Sequence, residues 1–344
     1  MSYRIQVVGL DEPIACAEDQ SVLEAVRQAG WELPYSCNAG VCASCKGRVL
    51  SGRVAPGRAG DHALSDAERA QGMALFCQAR PLSDLVIEPS KLTRIDPLAR
   101  RRVAARVMRL DWLASDVVRM KLRFPAGEKV RFQAGQYLQV LLPDGQRRSY
   151  SMANPPHQND GAELHIRVLP DGAFSQCLSG GLAAGDTVEV ELPHGDFHWR
   201  EQHEGPVVML ASGTGFAPLK SMLEDAFRRG LQRDISLYWG ARTPRDLYLL
   251  DLARGWAATR GIRFEPVISE PTAGDGWQGR TGLVHEAVLA DHASLAAHVV
   301  YACGAPPMVA AARHDFTALR GLSSDAFFCD AFAVATRPAA ALAD

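Results

Sequence analysis

The sequence predicts a multidomain chain with three successive units: a small N-terminal unit of strands, one helix and a cysteine loop, an antiparallel β-barrel, and a C-terminal α/β unit on a parallel sheet. Three observations carry this expectation. At 344 residues the chain exceeds the ~250 residues above which single cores usually split. Its middle is filled by short alternating strands punctuated by Pro-Asp-Gly turns, as in an antiparallel barrel. Beyond about residue 205, apolar strands alternate with helical stretches, the pattern of a parallel sheet with crossover helices.

Taken in order, Tyr3–Val8 and Pro13–Cys16 read as strands. Ser21 is placed to cap a helix with Glu24 completing a capping box, Val22, Leu23 and Val26 supply its apolar face, and Gly30 stops it. The cysteine loop follows directly. Strands return at Lys46–Leu50 and Leu85–Glu88, and the polar, basic stretch from Ser90 to Arg102 reads as a connection. The first domain is therefore expected over residues 1–92 and the linker over 93–101. A β domain over 102–204 holds strands at Val117–Phe124, Tyr137–Leu142, Glu163–Leu169 and Thr187–Leu192. The α/β domain, 205–337, opens with strand Val207–Ala211, a Gly turn, helix Pro218–Arg229 and strand Ile235–Trp239, and residues 338–344 read as a tail.

Composition narrows the function. With 37 basic and 39 acidic residues the net charge is -2, so neither nucleic acid nor an anionic membrane surface is an expected partner. No apolar run reaches the roughly 20 residues of a membrane span, and the first residues lack the pattern of a secretory signal, so a cytoplasmic protein is expected. Eight cysteines are moderate for this length. Three of them bunch at Cys37, Cys42 and Cys45, which in a reducing compartment points to metal rather than to a disulfide framework.

The segment Ser36 to Cys45 spaces its thiols C-x4-C-x2-C, and Cys77 stands ready as a distant fourth ligand. This is the plant-type [2Fe–2S] spacing. Ala39, Gly40, Ala43 and Ser44 keep the loop small, so that backbone amides can approach cluster sulfurs. A structural zinc site is the competing use of four cysteines, but such sites usually employ two close pairs, and only Cys42 and Cys45 are closely paired here. Residues 1–92 resemble a plant-type ferredoxin domain, which implies a β-grasp fold. Cys16, Cys177 and Cys329 have no ligand spacing and are read as structural.

Two further constellations lie downstream. Arg147 to Met152 forms a strand after a hairpin that sets Arg148 and Tyr150 on one face and Ser151 on the other. The stretch Arg167-Val168 to Gly172 and Ser175 runs a strand through a Gly turn into a short helix, whose N-terminal amides and Ser175 hydroxyl suit a pyrophosphate, with Arg148 as the opposing charge. Val207 to Pro218, containing Gly213-Thr214-Gly215, is a strand, Gly turn and helix able to cradle a dinucleotide, although the third glycine of the Rossmann fingerprint is missing. Arg242 follows the second strand of that domain, where a ribose contact is expected. The absence of an acidic residue there permits NADPH as well as NADH.

Together these segments resemble the ferredoxin–NADP⁺ reductase superfamily. The RxYS element Arg148-Ser149-Tyr150-Ser151 and the Gly172/Ser175 turn look like its flavin motifs; the resemblance implies that Arg148 meets the FAD pyrophosphate, Tyr150 packs on the flavin and Ser151 lies near N5. Gly213-Thr214-Gly215-Phe216-Ala217-Pro218 and Cys303-Gly304-Ala305-Pro306-Pro307-Met308 look like its paired nicotinamide motifs, with Ala305 where Pro is usual. Phe327 to Phe332 resembles the terminal segment, which implies Asp330 near the flavin, where many members have Glu, and Phe332 over the ring.

As a whole the chain resembles the three-domain reductases of bacterial ring-hydroxylating oxygenases, the terephthalate dioxygenase reductase branch in particular. That resemblance implies a flow from NADH or NADPH to FAD, then to the [2Fe–2S] cluster, then to a terminal oxygenase, with Ser151, Cys303 and Asp330 bordering hydride transfer. Reductases of di-iron phenol hydroxylases and of deoxysugar synthesis share the domain order. An iron–sulfur protein that only senses redox state is the non-enzymatic alternative.

Overall fold

The structure is a computed structural model and describes residues 2–60, 63–96, 100–170 and 172–333. Pro97–Ala99 of the expected linker and the expected tail lie outside the described residues.

The N-terminal unit contains β1 (Ser2–Val7), β2 (Ile14–Ala17), α1 (Val22–Gln28), β3 (Trp31–Glu32), β4 (Lys46–Ser51), β5 (Val54–Ala55), α2 (Asp66–Ala70), β6 (Met73–Leu75), β7 (Arg80–Pro81), β8 (Leu85–Pro89) and β9 (Thr93–Arg94). Its five-stranded sheet runs β2-β1-β8-β4-β6, with β1 parallel to β8 and the other pairs antiparallel. α1 packs its buried Val22, Leu23 and Val26 into this core. Ser21 accepts from the Glu24 amide at 3.2 Å, and Gly30 leaves the helix at φ +84. Thr93–Arg94, expected in the linker, instead pairs with Trp31–Glu32 and extends the first unit.

The middle unit contains β10 (Arg101–Ala114), β11 (Val117–Arg123), β12 (Tyr137–Leu141), β13 (Arg147–Ser151), β14 (Gly161–Arg167), α3 (Ala173–Ser179) and β15 (Thr187–His194). Its antiparallel sheet runs β13-β12-β15-β10-β11-β14, and a Met152–Leu164 bridge joins the two edges into a barrel. β10, with 14 residues, begins inside the expected linker and went unread in the sequence. Its inward positions Val103, Ala105 and Val107 alternate with outward arginines, and alanine at 104 and 105 blurs the apolar period.

The C-terminal unit contains β16 (Val207–Ser212), α4 (Phe216–Arg229), β17 (Ile235–Ala241), α5 (Leu250–Arg260), β18 (Arg263–Ile268), β19 (Arg280–Thr281), α6 (Val284–Asp291), β20 (Val299–Gly304), α7 (Pro306–Arg320) and β21 (Phe327–Ala331). The sheet β19-β18-β17-β16-β20-β21 is parallel throughout. Strands buried on both faces explain why they read as continuous apolar runs. The order reverses between β16 and β20, and in such sheets ligands bind beyond the strand ends at the reversal.

Candidate functional site

The cysteine loop is shaped by unusual backbone. Asn38 and Ala43 sit at φ +52 and +60, and Gly40 at +74 has no room for a Cβ beside the Arg58 carbonyl. This folding gathers the thiols in two pairs. Cys37 hydrogen-bonds Cys42, and the Cys45 Sγ lies 3.1 Å from the Cys77 Sγ. In each pair one thiol is held below the ordinary value, Cys42 by its bond from Cys37 and Cys77 by its bond from Cys45. The amides of Ala39 and Cys42 point at the Cys37 sulfur at 3.4 and 3.3 Å. Among the described residues no group of three or more His, Cys, Asp or Glu is gathered for a single ion. Two pairs with amides aimed at sulfur fit a two-iron cluster better than one tetrahedral zinc.

The flavin-motif residues lie on β13 and α3. Tyr150 packs against Phe174 of α3, ring centres 5.6 Å apart, and burial pushes its phenol pKa up. Two details depart from expectation. Arg148 turns back to donate to the Arg147 carbonyl and to Gln146 rather than opposing the α3 amides. The Ser175 hydroxyl faces inward and accepts from the Leu169 amide at 2.9 Å. Gly172 is the N-cap of α3, with no space for a Cβ beside the Ser175 hydroxyl. Val168 continues from β14, its amide bonded to the Asp116 carbonyl. Ser149 is exposed and Ser151 is buried, register partners of Gln139 and Tyr137 on β12.

The nicotinamide motifs meet at the sheet reversal. Gly213, Thr214, Arg242, Gly304 and Phe332 line a cavity of about 650 Å³ together with Arg167 from the barrel. Arg167 is ion-paired to Asp116 and its guanidinium overlies Gly213. Gly215 lies beneath the Cys303 carbonyl, where a Cβ cannot fit, and the Ser212 hydroxyl accepts from the Ala305 amide at 2.8 Å, joining the two motifs. Pro218 is buried in the first turn of α4, and Pro306 opens α7. A dinucleotide would find amides from two loops and a largely apolar cavity here, while Asp246, the acidic side chain in the lining, is spent on capping Thr243.

Cys303 and Asp330 are register partners on β20 and β21. Burial pushes the Cys303 thiol up and raises the Asp330 carboxyl to about 7. The Asp330 carboxyl is held by the cysteine loop. Its Oδ1 accepts from the Ser36 hydroxyl at 2.5 Å, the residue before Cys37. Ser151 joins this centre from the other side through Tyr137, whose hydroxyl accepts from Asn38 in the same loop at 3.3 Å. Tyr137 stacks on His194 and belongs to the core of the N-terminal unit although β12 carries it. Reading the sequence missed Ser36, Asn38, Tyr137 and Arg313, whose guanidinium donates to the Cys42 carbonyl at 3.0 Å, because a docking contact between distant segments leaves no local spacing. Cys329, read as merely structural, donates to the Cys42 carbonyl at 3.3 Å.

Comparison with known proteins finds three family models along the chain. Residues 5–82 match the 2Fe-2S iron-sulfur cluster binding domain, 104–199 the oxidoreductase FAD-binding domain and 209–314 the oxidoreductase NAD-binding domain. The chain is 40% identical over 338 residues to the reductase component 1 of terephthalate 1,2-dioxygenase from Comamonas sp., covering 97% of this chain and 98% of that one. It is 36% identical to the CDP-6-deoxy-L-threo-D-glycero-4-hexulose-3-dehydrase reductase of Yersinia pestis, over 91% and 93% of the two chains. The solved cytochrome P450 reductase GcoB of Amycolatopsis superposes with a TM-score of 0.75 at 37% identity, covering 96% and 98%. With all three cofactor domains present in one continuous match, the chain belongs to the family of NAD(P)H-dependent oxidoreductases that carry FAD and a [2Fe–2S] cluster in a single polypeptide.

Proposed function

We propose that the protein is the reductase component of an oxygenase system, and that its partner is a Rieske-type aromatic ring-hydroxylating dioxygenase such as a terephthalate dioxygenase. The observation that carries the reading is convergence: the loop of the cluster cysteines touches Asp330, which is register-paired with Cys303, and touches Tyr137, which is register-paired with Ser151. Similarity to the Comamonas reductase along nearly the whole chain supports the choice of partner. The Yersinia relative supports a second reading, a reductase serving deoxysugar synthesis.

When bound, the nicotinamide would supply a hydride donor, FAD the conversion between two-electron and one-electron transfer, and the [2Fe–2S] cluster a one-electron carrier. The chain's own residues bind and orient. Gly213, Thr214, Gly215 and Gly304 bring amides to the dinucleotide, and Arg242 at the cavity rim meets its ribose end. Arg148, Ser149 and Tyr150 with the Gly172–Ser175 turn would hold FAD, and Phe332 would cover it. Ser151, Cys303 and Asp330 border the hydride path, where Cys303 keeps its proton and excludes water. Cys37, Cys42, Cys45 and Cys77 hold the irons. The other cysteines, Cys16, Cys177, Cys303 and Cys329, form no disulfide, which supports a cytoplasmic setting, and no helix among the described residues is long and apolar enough to cross a membrane.

The visible spectrum of anaerobically purified protein, titrated with NADH and then NADPH, tests the reading. Flavin bands with a broad cluster shoulder, both bleached by nucleotide, are expected, and the more effective nucleotide identifies the donor. Flavin without iron and sulfide would overturn it. Cys77→Ser should remove the cluster absorbance while dye reduction through FAD persists, and unchanged absorbance would remove Cys77 from the ligand set. Arg148→Ala should lower FAD retention severalfold; unaltered flavin content would reject its role.

A further inference from the structure

Helix α7 touches two sites. Pro307, Met308 and Ala311 line the nucleotide cavity, and farther along the helix Arg313 reaches the cysteine loop. Its Nη2 donates to the Cys42 carbonyl at 3.0 Å and approaches the Cys329 Sγ at 3.3 Å, while the guanidinium lies over the Phe327 ring, 4.6 Å from its centre. The same Cys42 carbonyl takes the Cys329 thiol at 3.3 Å. Both donors therefore come from the C-terminal unit and converge on the backbone of one residue of the loop. Cys42 is 1% exposed and packs into a core built otherwise from that unit.

These partners of Arg313 are a carbonyl, a thiol and an aromatic ring, none of them an anion. Its positive charge thus stands half-buried beside the cluster loop, without a carboxylate partner. Reduction adds one negative charge to an iron–sulfur cluster, so a fixed neighbouring cation stabilises the reduced form, and poor screening enlarges the effect. We infer that Arg313 is a positioning residue that seats the cluster loop on the nucleotide-binding domain and, by its charge, raises the reduction potential of the cluster. This rests on the assignment of Cys42 as a cluster ligand.

Two substitutions separate charge from hydrogen bonding. Arg313→Gln keeps a donor for the Cys42 carbonyl and removes the charge; Arg313→Lys keeps the charge and loses the planar fork. The midpoint potential of the cluster is measured in the intact holoprotein by anaerobic redox titration, followed by visible absorbance and by the paramagnetic signal of the reduced cluster. Arg313→Gln should make the cluster about tenfold harder to reduce at a given potential, a fall of ~59 mV for one electron. Arg313→Lys should stay within about twofold of wild type, ~18 mV by the same conversion. In stopped-flow, electron passage from FAD to the cluster should slow severalfold in Arg313→Gln, with hydride transfer from nucleotide to FAD unchanged.

A wild-type potential in Arg313→Gln would overturn the inference, as would a full shift in Arg313→Lys. Each variant decides alone if the other fails to fold. Wild-type protein without a cluster spectrum would instead bring down the ligand assignment, a failure visible before any substitution is made.

Discussion

Gly304 sits at φ +130 with the Ser212 side chain and backbone where a Cβ would be, so the contact between the two nicotinamide loops depends on a missing methyl group. Gly304→Ala should destabilise the C-terminal domain by about 1–3 kcal/mol through overpacking and weaken nucleotide binding at least tenfold, read by denaturant melts and by dinucleotide titration. His194 offers a different test. Burial holds its pKa down to about 4, although Glu191 pulls the other way, while Arg100 and Arg27 add to the depression. The unfolded imidazole takes a proton near 6.5 and the folded one does not, so stability is full above that value and is lost as pH falls toward 4. The loss should be on the order of 2–3 kcal/mol, and urea midpoints for wild type and His194→Phe across this window should diverge. Glu191, lowered to about 2 through its bond with His194, acts in a lower window, between 4.5 and 2.

Elements with a strong period or a motif of their own were legible from sequence: α1 by its cap and apolar face, β16 and β17 by their apolar runs, the cysteine loop by its spacing. β10 was not, because arginines on its outer face and an alanine on each face blur the apolar alternation and imitate a polar linker. β12 was legible as a strand but its double allegiance was not, since alternation says which way a side chain points and not which domain receives it. Tyr137, 4% exposed, fills the core of the N-terminal unit from a barrel strand. Tyr137→Ala should cost about 3–5 kcal/mol as a core truncation, and the loss should appear in the melting of the ferredoxin domain rather than in that of the barrel that carries the residue. A loss confined to the barrel transition would contradict that placement.

At the scale of the molecule, cofactor identity was written in local motifs, whereas the arrangement that links them was not. Ser36 and Asp330 are 294 residues apart, Arg313 and Cys42 271, Tyr35 and His194 159. No single-sequence spacing reports such pairs. The interface also includes Lys220, which donates from α4 to the Ala153 carbonyl of the barrel at 3.1 Å, so each neighbouring pair of domains is tied by buried polar bonds. These are costly to leave half made. Ser36→Ala would leave the Asp330 carboxyl buried without that donor, and calorimetry should then resolve an early ferredoxin transition from a later one, about 1–3 kcal/mol of coupling having been lost. A single unshifted transition would show that Ser36 does not couple the domains.

The same pairing of Ser36 with Asp330 sets a schedule for biosynthesis. The cysteine loop leaves the ribosome well before its cover, β21. At ~5–20 residues per second, the 294 residues between them keep the thiols uncovered for roughly 15–60 s. Iron and sulfide can be delivered during that interval, before the lid is made. Cluster loading should accordingly be faster on chains arrested before Phe327 than on completed apoprotein, and equal rates would show that the finished molecule opens readily enough to need no such head start.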